Sequence, residues 1–297
     1  MNLDFENVPQ KDVFPRSLYM HTVAAYVPHS QKLRNLVDFG VDLDVLSKDA
    51  ALGQIIMDSE WSKVMAPRIA FLMLRCGLSV DEIGPFLTEN PGIFEQKLRN
   101  LTKRVAYLES KELGGDKLVR LLVACPRLLS LSTEKLDERL GWYQSEFNCS
   151  GDDLRAALCR RPQLVFYERT TEMKNFGTIL TNEWQFTVDE VRRLFVGAPE
   201  IWNTEHDLLT RNFHYLHSVM GLSQRRLALE PHCLVVAPDR LESRHRFLVK
   251  LHRDQYDPDK PNYVSVGLLC AADDLHFCEK AAKCDLGLFN LFLAHEF

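Results

Sequence analysis

The chain has 297 residues, of which 46% are apolar, and its formal net charge is −5. This length and apolar content allow a substantial core, which excludes a disordered chain. No apolar run reaches the roughly 20 residues that a membrane-spanning helix needs, so we expect no membrane span.

Residues 1–32 are predicted to form an N-terminal extension that is partly ordered at most. Pro9, Pro15 and Pro28 favour extended backbone there. The first 30 residues resemble neither a secretory signal nor an arginine-rich, acid-poor transit peptide. We therefore expect no targeting segment in them.

Residues 33–263 contain a repeat of about 35 residues. Each copy has a proline that is followed two and three positions later by an apolar or mostly apolar pair. The prolines are Pro91, Pro126, Pro162, Pro199 and Pro231, and the pairs are Ile93-Phe94, Leu128-Leu129, Leu164-Val165, Ile201-Trp202 and Cys233-Leu234. A fixed period of this length is typical of elongated repeat arrays.

Each repeat is predicted to consist of two helices that meet at its proline. Apolar residues recur at helical spacing on both sides, and the proline ends the first helix because it removes a backbone donor and restricts its predecessor. Ser79 with Glu82, Ser150 with Asp153 and Thr187 with Glu190 have capping-box spacing at first-helix starts. The sequence therefore predicts an all-α helical-repeat solenoid.

The ends of the array depart from the consensus. An earlier copy without a proline has Ile55 at the proline position, and the last copy is one helical turn shorter, starting at Ser223. Residues 264–297 are predicted to form capping helices that cover the open end of the core.

Motifs for catalysis or for a bound cofactor are missing from the sequence. It has no Gly-x-Gly-x-x-Gly, phosphate-binding loop, His-Glu-x-x-His or Gly-x-Ser-x-Gly motif. The eight cysteines include no Cys-x-x-Cys pair, which favours reduced core thiols over disulfides or zinc ligands. We expect no enzyme, no cofactor and no metal site.

Basic residues recur at one phase of the repeat, 12 or 13 residues after the proline. In a solenoid, one phase forms a ladder across the surface, and arginine binds phosphate bidentately. The candidate nucleic-acid-binding residues are Arg68, Arg104, Arg139, Lys174, Arg211 and Arg244, with Arg246, Lys250 and Arg253 extending the row.

A structural role for these arginines is the alternative. An arginine three positions before a buried aromatic can cap carbonyls or pair with carboxylates of the next repeat. The aromatics at this phase, Tyr107, Trp142, Tyr215 and Phe247, are predicted to pack in the core rather than stack on bases. Arginine doublets such as Arg160-Arg161 lie on first helices, where a solvated face is the usual outcome.

The repeat resembles that of the mitochondrial transcription termination factor (mTERF) family, in which Pro-x-aliphatic-apolar is followed by Arg-x-x-aromatic-Leu. The resemblance covers roughly residues 33–297. The stretches Phe39-Gly-Val-Asp-Leu43, Arg104-Val-Ala-Tyr-Leu-Glu-Ser110 and Gln255-Tyr-Asp-Pro-Asp-Lys-Pro-Asn-Tyr263 are similar to those of the third vertebrate paralogue.

This resemblance implies a superhelix shaped like a half ring, whose positively charged concave face takes double-stranded nucleic acid. It also implies the mitochondrial matrix, binding to the promoter region of mitochondrial DNA with repression of transcription, and a role with ribosomal RNA in assembly of the large mitochondrial ribosomal subunit. We expect a monomer. The acidic flanks depart from this expectation, since acidic residues outnumber basic ones nine to five in 1–60 and five to two in 264–297.

Two other functions compete with this interpretation. A pentatricopeptide-type protein has a similar period and binds single-stranded RNA, but the pair after the proline and the Arg-x-x-aromatic phase disfavour it. A protein-binding scaffold that recruits an RNA-modifying or ribosome-assembly partner stays open.

Overall fold

The structure is a computed structural model that describes residues 22–167 and 171–296, without the side chains of 171–174 and 296. The chain divides into two compact units, Met1–Trp142 and Tyr143–Phe297. Within the described ranges every regular element is helical, which confirms the all-α prediction. No helix in these ranges is long and apolar enough to cross a membrane.

The first unit begins with a 3-10 turn at Val23–His29, and its longer helices come in pairs around the repeat prolines. Its helices are α1 Gln31–Asp38, α2 Leu43–Ser47, α3 Ala50–Asp58, α4 Ala66–Leu74, α5 Val80–Glu89, α6 Leu98–Ser110, α7 Asp116–Ala124 and α8 Thr133–Glu146. The boundary between the units falls inside α8.

The second unit continues the same alternation and ends in two further helices. These elements are α9 Gly151–Arg160, α10 Thr171–Asn182, α11 Val188–Gly197, α12 His206–His214, α13 Gln224–Leu229, α14 Pro238–Lys250, α15 Asp274–Phe277 and α16 Leu286–Glu296. Thus α5, α7, α9, α11 and α13 are the first helices of the repeats, and α6, α8, α10, α12 and α14 are the second helices.

Each repeat proline begins a short 3-10 turn, which we call a corner. The corners are Pro91–Glu95, Pro126–Ser130, Pro162–Phe166, Pro199–Asn203 and Pro231–Leu234. The residue before each proline has left the α region, for example Cys125 at φ −151° and ψ 77°. Both members of every pair that follows a proline are buried. The proline therefore ends the first helix, as predicted, and the pair that follows it enters the core.

The predicted helix starts and the shortened last repeat are also present. Capping boxes form at Ser79, Ser150 and Thr187. The helix α13 has 6 residues, whereas α11 has 10. The proline-free copy differs from the others, because Ile55 lies inside α3 and no corner forms there.

The C-terminal helices cover the core beside α14. Phe247 of α14 lies 5.0 Å from the ring of Phe289 and 5.1 Å from that of Phe292, both on α16. The segment before them is anchored to α13 and its corner, since the Ser265 hydroxyl donates to Glu230 at 2.6 Å. The predicted boundaries at 32 and 263 stay a prediction, and residues 1–21 lie outside the described part of the chain.

Candidate nucleic-acid interface

Two arginines of the first unit donate to main-chain carbonyls in, or directly after, the next corner. Nε and Nη2 of Arg68 donate to the Gln96 carbonyl at 2.9 and 2.6 Å. Nη1 of Arg104 donates to the Leu129 carbonyl and also to the Gln96 side-chain oxygen. Both guanidiniums are half-buried, and this burial lowers the pKa of Arg68 and of Arg104. These side chains join consecutive repeats.

The second unit repeats this arrangement with uncharged side chains. Asn212, 13 residues after Pro199, donates to the carbonyls of Leu234 and Val236 at 2.9 and 2.8 Å. The Tyr143 hydroxyl donates to the Leu164 carbonyl at 2.9 Å. A cation is therefore not needed for this role.

Arg244 is the most buried arginine of the predicted set, with 1% of its surface exposed. Its Nη1 donates to the carbonyls of Leu269 and Ala271 at 2.8 Å each, and its Nη2 donates to Asp274 at 2.6 Å. Its guanidinium also lies 5.0 Å from the centre of the Phe277 ring. The position favours the structural alternative for this residue, because four hydrogen bonds inside the chain already occupy the side chain.

The remaining residues of the predicted nucleic-acid-binding set differ in their exposure and in their hydrogen-bond partners. Arg211 is 56% exposed and pairs with Glu242 of α14 at 2.9 Å. Nε of Arg253 donates to the Ala281 carbonyl at 3.1 Å. Arg246 and Lys250 are exposed on α14, Arg139 is half-buried on α8, and the side chain of Lys174 lies outside the described residues. Phosphate contact by these side chains stays a prediction.

Aromatic side chains three or four positions after the basic residues of the ladder also link the repeats. The Tyr107 hydroxyl donates to Asp137 of α8 at 2.7 Å, and this bond, reinforced by Lys111, lowers the pKa of Asp137. Tyr215 and His245 are hydrogen-bonded at 2.8 Å, from the hydroxyl to Nδ1. Phe247 is buried as predicted, but Tyr107, Trp142 and Tyr215 are only half-buried, so the core-packing prediction holds fully for one of the four aromatics.

The arginine doublets of the first helices in the second unit contain cations that the predicted ladder left out. In each doublet one member is engaged: Arg161 donates to the Tyr167 hydroxyl, Arg192 pairs with Asp189, and Arg226 pairs with Glu230. The other members are exposed and have no ion pair with any described residue. They are Arg160, Arg193 and Arg225.

The sequence disfavours disulfides and a metal site, and the structure bears on both. The eight cysteines are free thiols, and burial raises the pKa of Cys233 well above its usual value. In the ranges 22–167 and 171–296, no group of three or more His, Cys, Asp or Glu side chains is arranged to hold a metal ion.

Comparison with known proteins identifies the repeat. The family model named mTERF matches residues 27–185, more than half of the chain. The chain belongs to the mTERF family. It is 36% identical over 271 residues to "Transcription termination factor 3, mitochondrial" of Drosophila melanogaster, covering 91% of this chain and 76% of that protein.

Two mammalian proteins with the same name are similar to the chain over a comparable span. The mouse protein (Mus musculus) is 34% identical over 279 residues, covering 94% of this chain and 67% of its own length. The rat protein (Rattus norvegicus) is 33% identical, covering 94% and 68%. These similarities confirm the mTERF resemblance and the relation to the third paralogue.

Proposed function

We propose that this mTERF-family chain is a mitochondrial nucleic-acid-binding regulator of transcription and not an enzyme. One observation carries the proposal: relatives named mitochondrial transcription termination factor 3 are similar to it over 91–94% of its length. We place it in the mitochondrial matrix, where mitochondrial DNA and the ribosomal RNA both lie.

Its ligand is a phosphodiester backbone. Double-stranded mitochondrial DNA in the promoter region, bound to repress transcription, is the first candidate, and ribosomal RNA of the large mitochondrial subunit is the second. Phosphate contacts position a protein without reading sequence. Of the ladder predicted from the repeat, Arg211, Arg246 and Lys250 are the described members whose exposure best suits such contacts, and Arg139 is half-buried.

The binding assay compares three ligands by fluorescence anisotropy while the salt concentration is raised. The ligands are a duplex DNA, a structured ribosomal RNA fragment and an unstructured single-stranded RNA. On duplex DNA, log affinity falls with log salt by about 0.9 for each phosphate that is neutralised. We expect a slope of roughly −3 to −5, and a flat response with all three ligands would refute the proposal.

A protein-recruiting scaffold is the second candidate, and one feature favours it. The helix α16 buries Phe289 and Phe292 but exposes Leu288 and Leu291, which lie one turn apart. Exposed leucines at this spacing suit an RNA-modifying or ribosome-assembly protein that docks on the C-terminal helices. Crosslinking in isolated mitochondria tests this candidate by comparing wild type with the double variant Leu288→Ser/Leu291→Ser. If the chain is a scaffold, a specific protein that is crosslinked to wild type is absent from the crosslinks of the variant.

A further inference from the structure

Three exposed arginines of the second unit lie on consecutive first helices, two of them at the same repeat position and the third one helical turn away. Counted back from the repeat proline, Arg193 and Arg225 both lie at position −6, and Arg160 lies at position −2. Positions −6 and −2 are four residues apart and share one helix face. We call Arg160, Arg193 and Arg225 the first-helix arginine row.

Neighbouring helices bring the members of this row together. The helix α11 packs against both α9 and α13. Equivalent positions of successive repeats lie side by side in a repeat array, and packed helices are about 8–10 Å apart. By this geometry Arg193 and Arg225 lie on neighbouring helices, with Arg160 one turn closer to its own corner. A phosphate backbone can span such a set, because its charges recur about every 3.4 Å of helix axis on each strand.

The carboxylates near the row are committed to other arginines or to helix caps. Asp189, one turn before Arg193, pairs with Arg192 at 2.9 Å, and Glu230 pairs with Arg226 at 2.6 Å. Glu190 accepts from the Thr187 backbone in its capping box. The row consequently presents guanidinium donors without a carboxylate partner among the described residues.

We propose that the first-helix arginine row is a phosphate-binding track for the nucleic-acid backbone, separate from the ladder on the second helices. Guanidinium donors bind phosphate bidentately, and three of them at successive repeats suit a ligand with regularly spaced charges. Arg120 of α7 has the same position −6 and is exposed, so the first unit carries the same element. This inference rests on the proposed function and assigns residues to it.

The test uses the full chain with Arg160→Gln, Arg193→Gln and Arg225→Gln combined. Its control is Lys63→Gln, Lys260→Gln and Lys280→Gln combined, which removes three exposed positive charges that are not members of the row. Affinity for a 30-base-pair duplex (about three turns) is measured by anisotropy against salt. We expect the row variant to bind at least about tenfold more weakly at 0.1 M salt, with a slope shallower by about 2.7, or 0.9 for each lost phosphate contact.

Three results would overturn the inference, and each is distinct. Equal affinities and slopes for the row variant and the control overturn the row but leave the proposed function intact. Failure of the wild type to bind any nucleic acid overturns both. If the row substitutions weaken binding of polyglutamate but not binding of the duplex, the row binds an acidic protein instead. Circular dichroism of both variants checks that they are folded, which we expect because all six side chains are exposed.

Discussion

Arg244 is predicted to stabilise the C-terminal part of the fold from inside. The substitution Arg244→Met keeps the apolar stem and removes the guanidinium. It leaves the carbonyls of Leu269 and Ala271 without their donor and Asp274 without its ion pair. A buried polar group that loses its partner costs about 1–3 kcal/mol, and breaking a buried ion pair from one side costs about 3–5 kcal/mol.

We expect a loss of about 3–4 kcal/mol in the free energy of unfolding, because Asp274 is half-exposed and regains water. The assay is urea unfolding at 25 °C, followed by far-ultraviolet circular dichroism. Arg240→Met is the matched control on the same helix, since Arg240 is exposed and a surface change of this kind stays within about 0.5 kcal/mol. Equal urea midpoints for the two variants would refute the structural assignment of Arg244.

Three further changes test the packing of the second unit by the same urea assay. Gly197→Ala places a Cβ 2.5 Å from Cγ of Pro231, and we expect a loss of about 1–3 kcal/mol; an unchanged midpoint would contradict this close contact. Tyr143→Phe removes the donor to the Leu164 carbonyl and is expected to cost about 1–2 kcal/mol, whereas a neutral result would mean that this bond does not hold the repeats. Burial lowers the pKa of His245, so the folded chain binds fewer protons than the unfolded chain, and the resulting stability is complete above about pH 6.5 and is lost as the pH falls below it. His245→Gln should therefore lose less stability than wild type between about pH 7.5 and pH 5.5, and equal losses would show that His245 is not the group responsible.

The repeat itself could be predicted from the sequence because its signals are local. Pro126 removes a donor from its own helix, and Ser150 and Asp153 cap the helix that they begin. The sequence did not predict that the corners are 3-10 turns. The apolar pair shows that the segment after the proline is buried, but its backbone conformation depends on how tightly the pair packs. Ile55 failed as a corner because no proline there interrupts the backbone hydrogen bonds of α3.

The roles of the arginines could not be predicted from the sequence, because they depend on contacts between repeats and not on local signals. The acceptor of Arg104 is a carbonyl 25 residues further along the chain. One signal was present in the sequence: Asn212 replaces arginine at the same phase, and asparagine can donate to a carbonyl but carries no charge for phosphate. The pairing within each doublet depends on which arginine, such as Arg192 rather than Arg193, faces the carboxylate.

Two groups of arginines, on different helices of the repeat, are thus assigned different tasks. Arg68 and Arg104, each 13 positions after the proline position of its repeat, hold consecutive repeats together through main-chain carbonyls, and phosphate binding is proposed for the first-helix arginine row. Arg104→Gln removes a charge-assisted bond worth about 1.5–3 kcal/mol to stability, whereas the three row substitutions remove exposed charges.

The most direct measurement records the urea midpoint and the salt slope of duplex-DNA binding for Arg104→Gln and for the triple row variant, beside wild type. We predict that Arg104→Gln lowers the midpoint and keeps the slope, and that the row variant keeps the midpoint and reduces the slope by about 2.7. A reduced slope for Arg104→Gln together with an unchanged slope for the row variant would contradict this division and assign the phosphate contacts to the second helices alone.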